Sequence, residues 1–166
     1  KSDIRKLSFE QLKSTFLEND LETYRAKQVY DWLWKKSATS FDDMSNLSLE
    51  LRKWLGSYYD IFPAKINLQQ NSSDGTVKFG FLFSENKQAE GVLIPEKDRL
   101  TACISSQSGC SLHCRFCATG YMKSNKNLSA AEIYDQVFLI NKIAEKKYQK
   151  RLTNIVFMGM GEPLLN

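Results

Sequence analysis

Leu100-Thr-Ala-Cys-Ile-Ser-Ser106 is followed three residues later by Cys110-Ser-Leu-His-Cys-Arg-Phe-Cys117. The first run reads as a strand and the second as the loop that leaves it. Three of the chain's four cysteines fall in that loop, spaced C-x3-C-x2-C. Thiolate sulfur is a soft ligand, and thiolates this close together can converge on one iron–sulfur cluster. Three ligands leave one iron of a 4Fe–4S cluster without a protein sulfur, and substrate chemistry can take place at that open position. The competing reading is structural zinc, which wants four closed ligands and is commonly built from paired C-x2-C units. Only Cys114 and Cys117 form such a pair, with Cys103, Cys110 or His113 available to complete it. A disulfide framework fits poorly, because cysteines are few and the chain is no tiny secreted scaffold.

Downstream of the loop, Ser129-Ala-Ala-Glu132 has the form of a capping box, and Ile133, Val137, Ile140 and Ala144 recur at helical spacing. Asn154–Met158 reads as a buried strand parallel to Leu100–Ser106. Strand, loop, helix and strand make the β-α-β unit with which α/β barrels begin, and their active residues lie beyond the carboxyl ends of the strands. Both Cys110–Cys117 and Gly159-Met-Gly-Glu-Pro163 fall at that end. In the second motif Gly159 and Gly161 let a ligand approach the backbone closely, and Glu162 can pair with a cationic amino group.

Upstream, the strand candidates are Ala64–Gln70, Thr76–Phe83 and Ala89–Ile94, joined by turns at Asp74-Gly75 and Asn86-Lys-Gln88. Before them lie three amphipathic helices. The first opens on the capping box Ser8-Phe-Glu-Gln11, the second spans about Tyr24–Lys36, and the third lies near Ser48–Tyr59. Trp32, Trp34 and Trp54 read as packing residues of this unit. The expected class is α/β: a helical and antiparallel-strand accessory domain over residues 1–95, then the first β-α-β part of an incomplete TIM-like barrel over residues 96–166.

The chain has 166 residues, 42% of them hydrophobic, enough for one or two small cores. No apolar run reaches membrane-spanning length and the start does not read as a signal peptide, so a soluble cytoplasmic protein with reduced cysteines is expected. Lys/Arg and Asp/Glu balance over residues 1–95, so the whole net charge of +4 falls in residues 96–166. That excess suits an RNA backbone, but Lys142, Lys146, Lys147, Lys150 and Arg151 also sit near a helix end, where cations favour the dipole.

C-x3-C-x2-C is also the signature of the radical S-adenosylmethionine (SAM) enzymes. With its flanks, Ser105-Ser-Gln-Ser-Gly-Cys-Ser-Leu-His-Cys-Arg-Phe-Cys-Ala-Thr-Gly120, and with Asn127-Leu-Ser129 and Met158-Gly-Met-Gly-Glu-Pro-Leu-Leu-Asn166, the sequence resembles the adenine carbon-2 RNA methyltransferases, the ribosomal large subunit methyltransferase N family. The resemblance extends to the amino-terminal part, which it implies is an RNA-contacting domain. It implies a 4Fe–4S cluster on Cys110, Cys114 and Cys117, SAM on Gly161 and Glu162, and Phe116 beside the SAM adenine. It further implies cleavage of SAM to a 5′-deoxyadenosyl radical, 23S rRNA and tRNA as substrates, an electron donor such as flavodoxin, and a monomer.

The same resemblance makes Glu90 the proton acceptor at the target adenine. It makes Cys103 a redox-active thiol that forms a transient disulfide with a methyl-carrying cysteine. From the residues alone Glu90 reads as an exposed charge on an edge strand, Cys103 as a small buried strand hydrophobe, and His113 as a solvated loop residue. The methyl-carrying cysteine is expected far toward the carboxyl terminus and is not in this sequence. The chain therefore reads as a fragment, expected to be inactive as given. Two alternatives stay open: the sibling enzyme that methylates carbon 8 of an rRNA adenine, and a zinc-stabilised RNA-binding module without catalysis.

Overall fold

The computed structural model describes residues 1–122 and 126–166. They form two compact units, Lys1–Phe62 and Pro63–Asn166.

The first unit is helical because three short amphipathic stripes can bury themselves only against one another. α1 (Phe9–Glu18) starts on the expected capping box: Ser8 Oγ accepts from the Gln11 amide at 3.2 Å, and the Gln11 side chain accepts from the Ser8 amide at 2.8 Å. α2 (Thr23–Trp34) and α3 (Leu49–Tyr58) follow, and Leu12, Phe16, Ala26, Val29, Leu33, Leu51 and Leu55 form the core with Ile4, Met44 and Ile61. The three tryptophans pack partly buried against it, as their spacing suggests. Two-residue strands β1 (Ser2–Asp3) and β2 (Tyr59–Asp60) pair in parallel and join the ends of this unit.

The second unit is one five-stranded sheet, β3 (Lys65–Asn71), β4 (Val77–Leu82), β5 (Gln88–Glu96), β6 (Arg99–Cys103) and β7 (Asn154–Val156), in sequential order. The first four strands are antiparallel. β6 and β7 are parallel and are joined by α4 (Ala130–Tyr148), which starts on the expected Ser129–Glu132 capping box. Strand alternation sends Val77, Phe79, Phe81, Leu93, Leu100 and Ala102 into one core with Ile140 and Ala144 of α4.

Two expectations change here. Pro95-Glu-Lys-Asp-Arg99, read as the border between domains, is the turn of a tight β5–β6 hairpin in which Glu96 pairs with Arg99. The three-stranded meander is thereby hydrogen-bonded into the same sheet as the β-α-β unit, and the compact units part at Phe62/Pro63 rather than at 95/96. β7 is parallel as expected but not buried: it is the sheet's last strand, and Ile155 is 50% exposed. No helix among the described residues is long and apolar enough to cross a membrane.

Candidate active site

The face of the sheet opposite the α4 core carries the residues with chemistry. Glu90 lies in register with Gly80 of β4, and Val92, two residues on, lies in register with Cys103 of β6. Glu90 and Cys103 therefore share this face on adjacent strands, one diagonal step apart. Glu90 is on an interior strand, not the edge strand expected from the residues alone, and its half-exposed carboxylate pairs with Lys78 at 2.8 Å. Cys103 is buried. Burial pushes its thiol above the ordinary range, and a hydrogen bond from the Met158 amide only partly offsets this.

Beyond β6 the chain continues as four buried polar residues, Ser105-Ser-Gln-Ser108. Polar groups buried in a row need partners, and Ser105, Gln107 and the Ser106 amide find theirs in the loop after β7, while the Ser106 hydroxyl has none among the described residues. The Gly159 amide donates to the Ile104 carbonyl at 3.0 Å, and the Met160 amide to Ser105 Oγ at 2.8 Å. The Met160 carbonyl accepts from the Ser106 and Gln107 amides, and the Glu162 amide donates to Gln107 Oε1 at 3.0 Å. Both glycines are demanded by this contact. A Cβ on Gly159 would lie 2.6 Å from Ser105 Oγ; one on Gly161, where φ is +95°, would lie 2.5 Å from Gln107 Cβ. Packing against the chain's own backbone already accounts for glycines that the sequence suggested were there for a ligand. The Glu162 carboxylate accepts from the Leu164 amide at 3.0 Å and caps the short turn Pro163–Leu165.

In the cysteine loop, Cys110, Cys114 and Cys117 are free and half-buried. Cys117 stands at the amino end of a short 3-10 turn, Ala118–Tyr121. The Thr119 amide, the Thr119 hydroxyl and the Gly120 amide hold its thiol below the ordinary range. His113 is exposed, as expected of a solvated loop residue, and it also closes the loop: its Nδ1 lies 2.7 Å from the Gly120 carbonyl oxygen. No group of three His, Cys, Asp or Glu close enough to hold a metal ion occurs among the described residues, so the three thiols share a loop without being gathered into one site.

A cleft of ≈ 380 Å³ joins these parts. Its lining includes Gly80 and Glu90 from the sheet, Met160 from the loop after β7, and Ala118, Thr119 and Met122 beside Cys117. Phe116 is 94% exposed and lies outside that lining.

The amino-terminal unit matches the family model of the ribosomal RNA large subunit methyltransferase N-terminal domain over residues 2–61. All 166 residues align at 57% identity with a probable dual-specificity RNA methyltransferase RlmN of Cytophaga hutchinsonii, covering 46% of that protein. A dual-specificity RNA methyltransferase RlmN of Geotalea uraniireducens is 42% identical over the whole chain, which covers 47% of it. A crystal structure of a radical SAM methyltransferase from Sphaerobacter thermophilus superposes with a TM-score of 0.83 at 34% identity, over the whole chain and 49% of the other. The chain is a homologue of the RlmN radical SAM methyltransferases. It spans about half the length of the curated RlmN relatives it matches.

In this RlmN homologue the structure brings Glu90, Met160 of the loop after β7 and the Ala118–Thr119 turn that follows Cys117 around one cleft, whose lining does not include Gly161, Glu162, Cys103 or the three loop cysteines. It places Cys103 on the same sheet face as Glu90, leaves Phe116 in solvent, and leaves the three loop cysteines apart. Sequence reasoning missed Lys78, Ser105, Gln107 and Gln136. The available signal was the run Ser105–Ser108, polar throughout, directly after an apolar strand. Gln136 of α4 reaches back to that run, accepting from the Ser105 amide at 2.9 Å and donating to its carbonyl at 3.0 Å.

Proposed function

We propose that this chain is part of a radical SAM methyltransferase that modifies carbon 2 of an adenine in 23S rRNA and tRNA, working in the cytoplasm with an electron donor such as flavodoxin. One observation carries the reading: Glu90, Met160 of the Gly159–Glu162 loop, and Ala118 and Thr119 of the turn after Cys117 line a single cleft. The donor set fits a 4Fe–4S cluster in kind. Three thiols on one loop are free of disulfides, and hydrogen bonds hold one of them, Cys117, below the ordinary thiol range. Cys110, Cys114 and Cys117 would hold the cluster, leaving one iron for SAM. Bound together, cluster and SAM supply the radical chemistry that an aromatic carbon, a poor nucleophile, requires.

The rest falls to this chain's own side chains. Gly161 and Glu162 hold and orient the amino-acid end of SAM, and Phe116 is assigned to its adenine. Glu90 accepts the proton that leaves the target base, with Lys78 neutralising and orienting the carboxylate. Cys103 is assigned the thiol exchange that releases product. Burial suits it to wait as a thiol until a partner cysteine arrives, one that none of the chain's four cysteines supplies. The amino-terminal unit is assigned to RNA contact.

The test is anaerobic iron–sulfide reconstitution of the chain extended to the length of its relatives, with EPR spectra before and after SAM, then nucleoside analysis of treated rRNA and tRNA. A reduced-cluster signal that shifts with SAM, together with 2-methyladenosine, is the expected result. A colourless protein that retains zinc would overturn the cluster assignment, and an 8-methyladenosine product would assign the chain to the sibling reaction.

A further inference from the structure

We propose that Ser105 and Gln107 are positioning residues for SAM: they set the Gly159–Glu162 loop from below and couple it to the strand that carries Glu90. The proposal rests on the SAM-binding reading above and adds two residues to which that reading gives no role.

Ser105 is fully buried, and its hydroxyl is used in both directions. It donates to the Glu90 carbonyl at 2.6 Å and accepts from the Met160 amide at 2.8 Å. One hydroxyl thus bridges β5, 15 residues before it, and the loop after β7, 55 residues after it. Gln107 is also buried, and it works from the other end of the loop. Its Oε1 accepts from the Glu162 amide at 3.0 Å, and its Nε2 donates to Asn127 Oδ1 at 2.8 Å. Asn127 in turn donates to the Leu165 carbonyl, and Asn166 donates to the carbonyls of Ser106 and Leu128.

The loop's remaining freedom is small. A side chain on Gly159 or Gly161 would collide with Ser105, Ile104 or Gln107, so the loop lies directly on residues 104–107 with no atoms between. Ser105 is itself fixed, because the Gln136 carboxamide grips both its amide and its carbonyl. A ligand held by Gly161 and Glu162 is therefore held by a backbone whose amides are aimed by two side chains, and a supporting shell of this kind typically matters at the level of affinity. Since the Ser105 hydroxyl also bonds the Glu90 backbone, a shift of the loop on ligand binding is transmitted to the residue assigned to proton abstraction.

The test compares Ser105→Ala, Gln107→Met, Gln107→Glu and, as a control, Ser129→Ala in the reconstituted chain extended to the relatives' length. SAM affinity is read by equilibrium titration, and hydrogen exchange of the 157–162 amides is read without ligand. The expectation is that Ser105→Ala and Gln107→Met each weaken SAM by about 10-fold and speed exchange in the loop. Gln107→Glu, which keeps an acceptor for the Glu162 amide, retains more of the affinity than Gln107→Met. Ser129→Ala removes the α4 cap and lowers the melting temperature but leaves SAM affinity unchanged, separating stability from positioning. In turnover, Ser105→Ala lowers kcat as well as raising KM for SAM, because it also frees the Glu90 strand, whereas Gln107→Met acts on KM. A parent that binds SAM with variants that bind it equally well would overturn the proposal. A parent that binds no SAM would overturn the SAM-binding reading itself, and this inference with it.

Discussion

Lys78 Nζ lies 2.8 Å from a carboxylate oxygen of Glu90, reaching diagonally across the β4–β5 pair on the open face of the sheet. The side chains are 42% and 51% exposed, so water screens them and the pair adds little to folding, under about 1 kcal/mol. With Glu90 in its proposed role, the value of the pair is orientation. Lys78→Met is expected to leave the melting temperature nearly unchanged while reducing methylation by the assembled enzyme, and Glu90→Gln to reduce kcat by about 100-fold or more while SAM binding persists. Melting curves, SAM titration and single-turnover assays check this. A large loss of stability in Lys78→Met would show that the contact is structural.

The two environments of cysteine predict an order of reaction. Burial raises the Cys103 thiol, so at neutral pH it is almost wholly protonated. Hydrogen bonds from Thr119, then Gly120, lower Cys117, so more of it is thiolate, the reactive form. In metal-free protein at pH 7.5, iodoacetamide should label Cys117 well before Cys103, and the difference should shrink as pH rises and both ionise. Peptide mass spectrometry over a time course reads the order directly; Cys103 reacting first would contradict the structure.

How far the sequence carried depended on how local each interaction is. The Ser8–Gln11 and Ser129–Glu132 boxes and the Asp74-Gly75 turn close within a few residues, and all three were legible. The β5–β6 hairpin was not: its turn uses Lys97 at φ +44°, a residue with no turn signature, so a domain border was read where the sheet continues. Exposure of β7 was missed because an apolar run looks the same on an edge as at a centre. Ser105 and Gln107 were invisible as positioning groups because their partners lie 15 to 55 residues away. Spacing grouped the motif cysteines, yet spacing alone does not specify the loop conformation that would gather them.

Gly161 is the position in the Gly159–Pro163 motif where substitution should cost most. Its φ of +95° disfavours any side chain, and a Cβ would sit 2.5 Å from Gln107 Cβ and 2.8 Å from the Gln107 backbone nitrogen. Strain and overpacking together suggest a loss of about 2–4 kcal/mol for Gly161→Ala. Gly56, whose added Cβ would meet only Phe41 at 3.8 Å and which lies within α3, should tolerate alanine or gain from it. Urea denaturation of the two variants checks the contrast, and equal stabilities would contradict the packing described for the loop.

Lys87 and Glu132 form the least exposed of the ion pairs Lys78–Glu90, Lys87–Glu132, Arg99–Glu96 and Arg151–Glu145 of the second unit. Their side chains are only 12% and 6% exposed, and the contact, at 2.7 Å, ties the β4–β5 connection to the first turn of α4. Breaking a buried pair strands the remaining charge, which costs roughly 3–5 kcal/mol. Glu132 would keep the Ser129 amide and hydroxyl as donors after Lys87→Met, so the loss should fall at the lower end, about 3 kcal/mol. The Arg151–Glu145 pair near the other end of α4 is 85% and 42% exposed, and Arg151→Met should cost about 0.5 kcal/mol or less. Both variants are compared with the parent by chemical denaturation. A Lys87 variant as stable as the Arg151 variant would mean that the buried pair contributes no more than an exposed one.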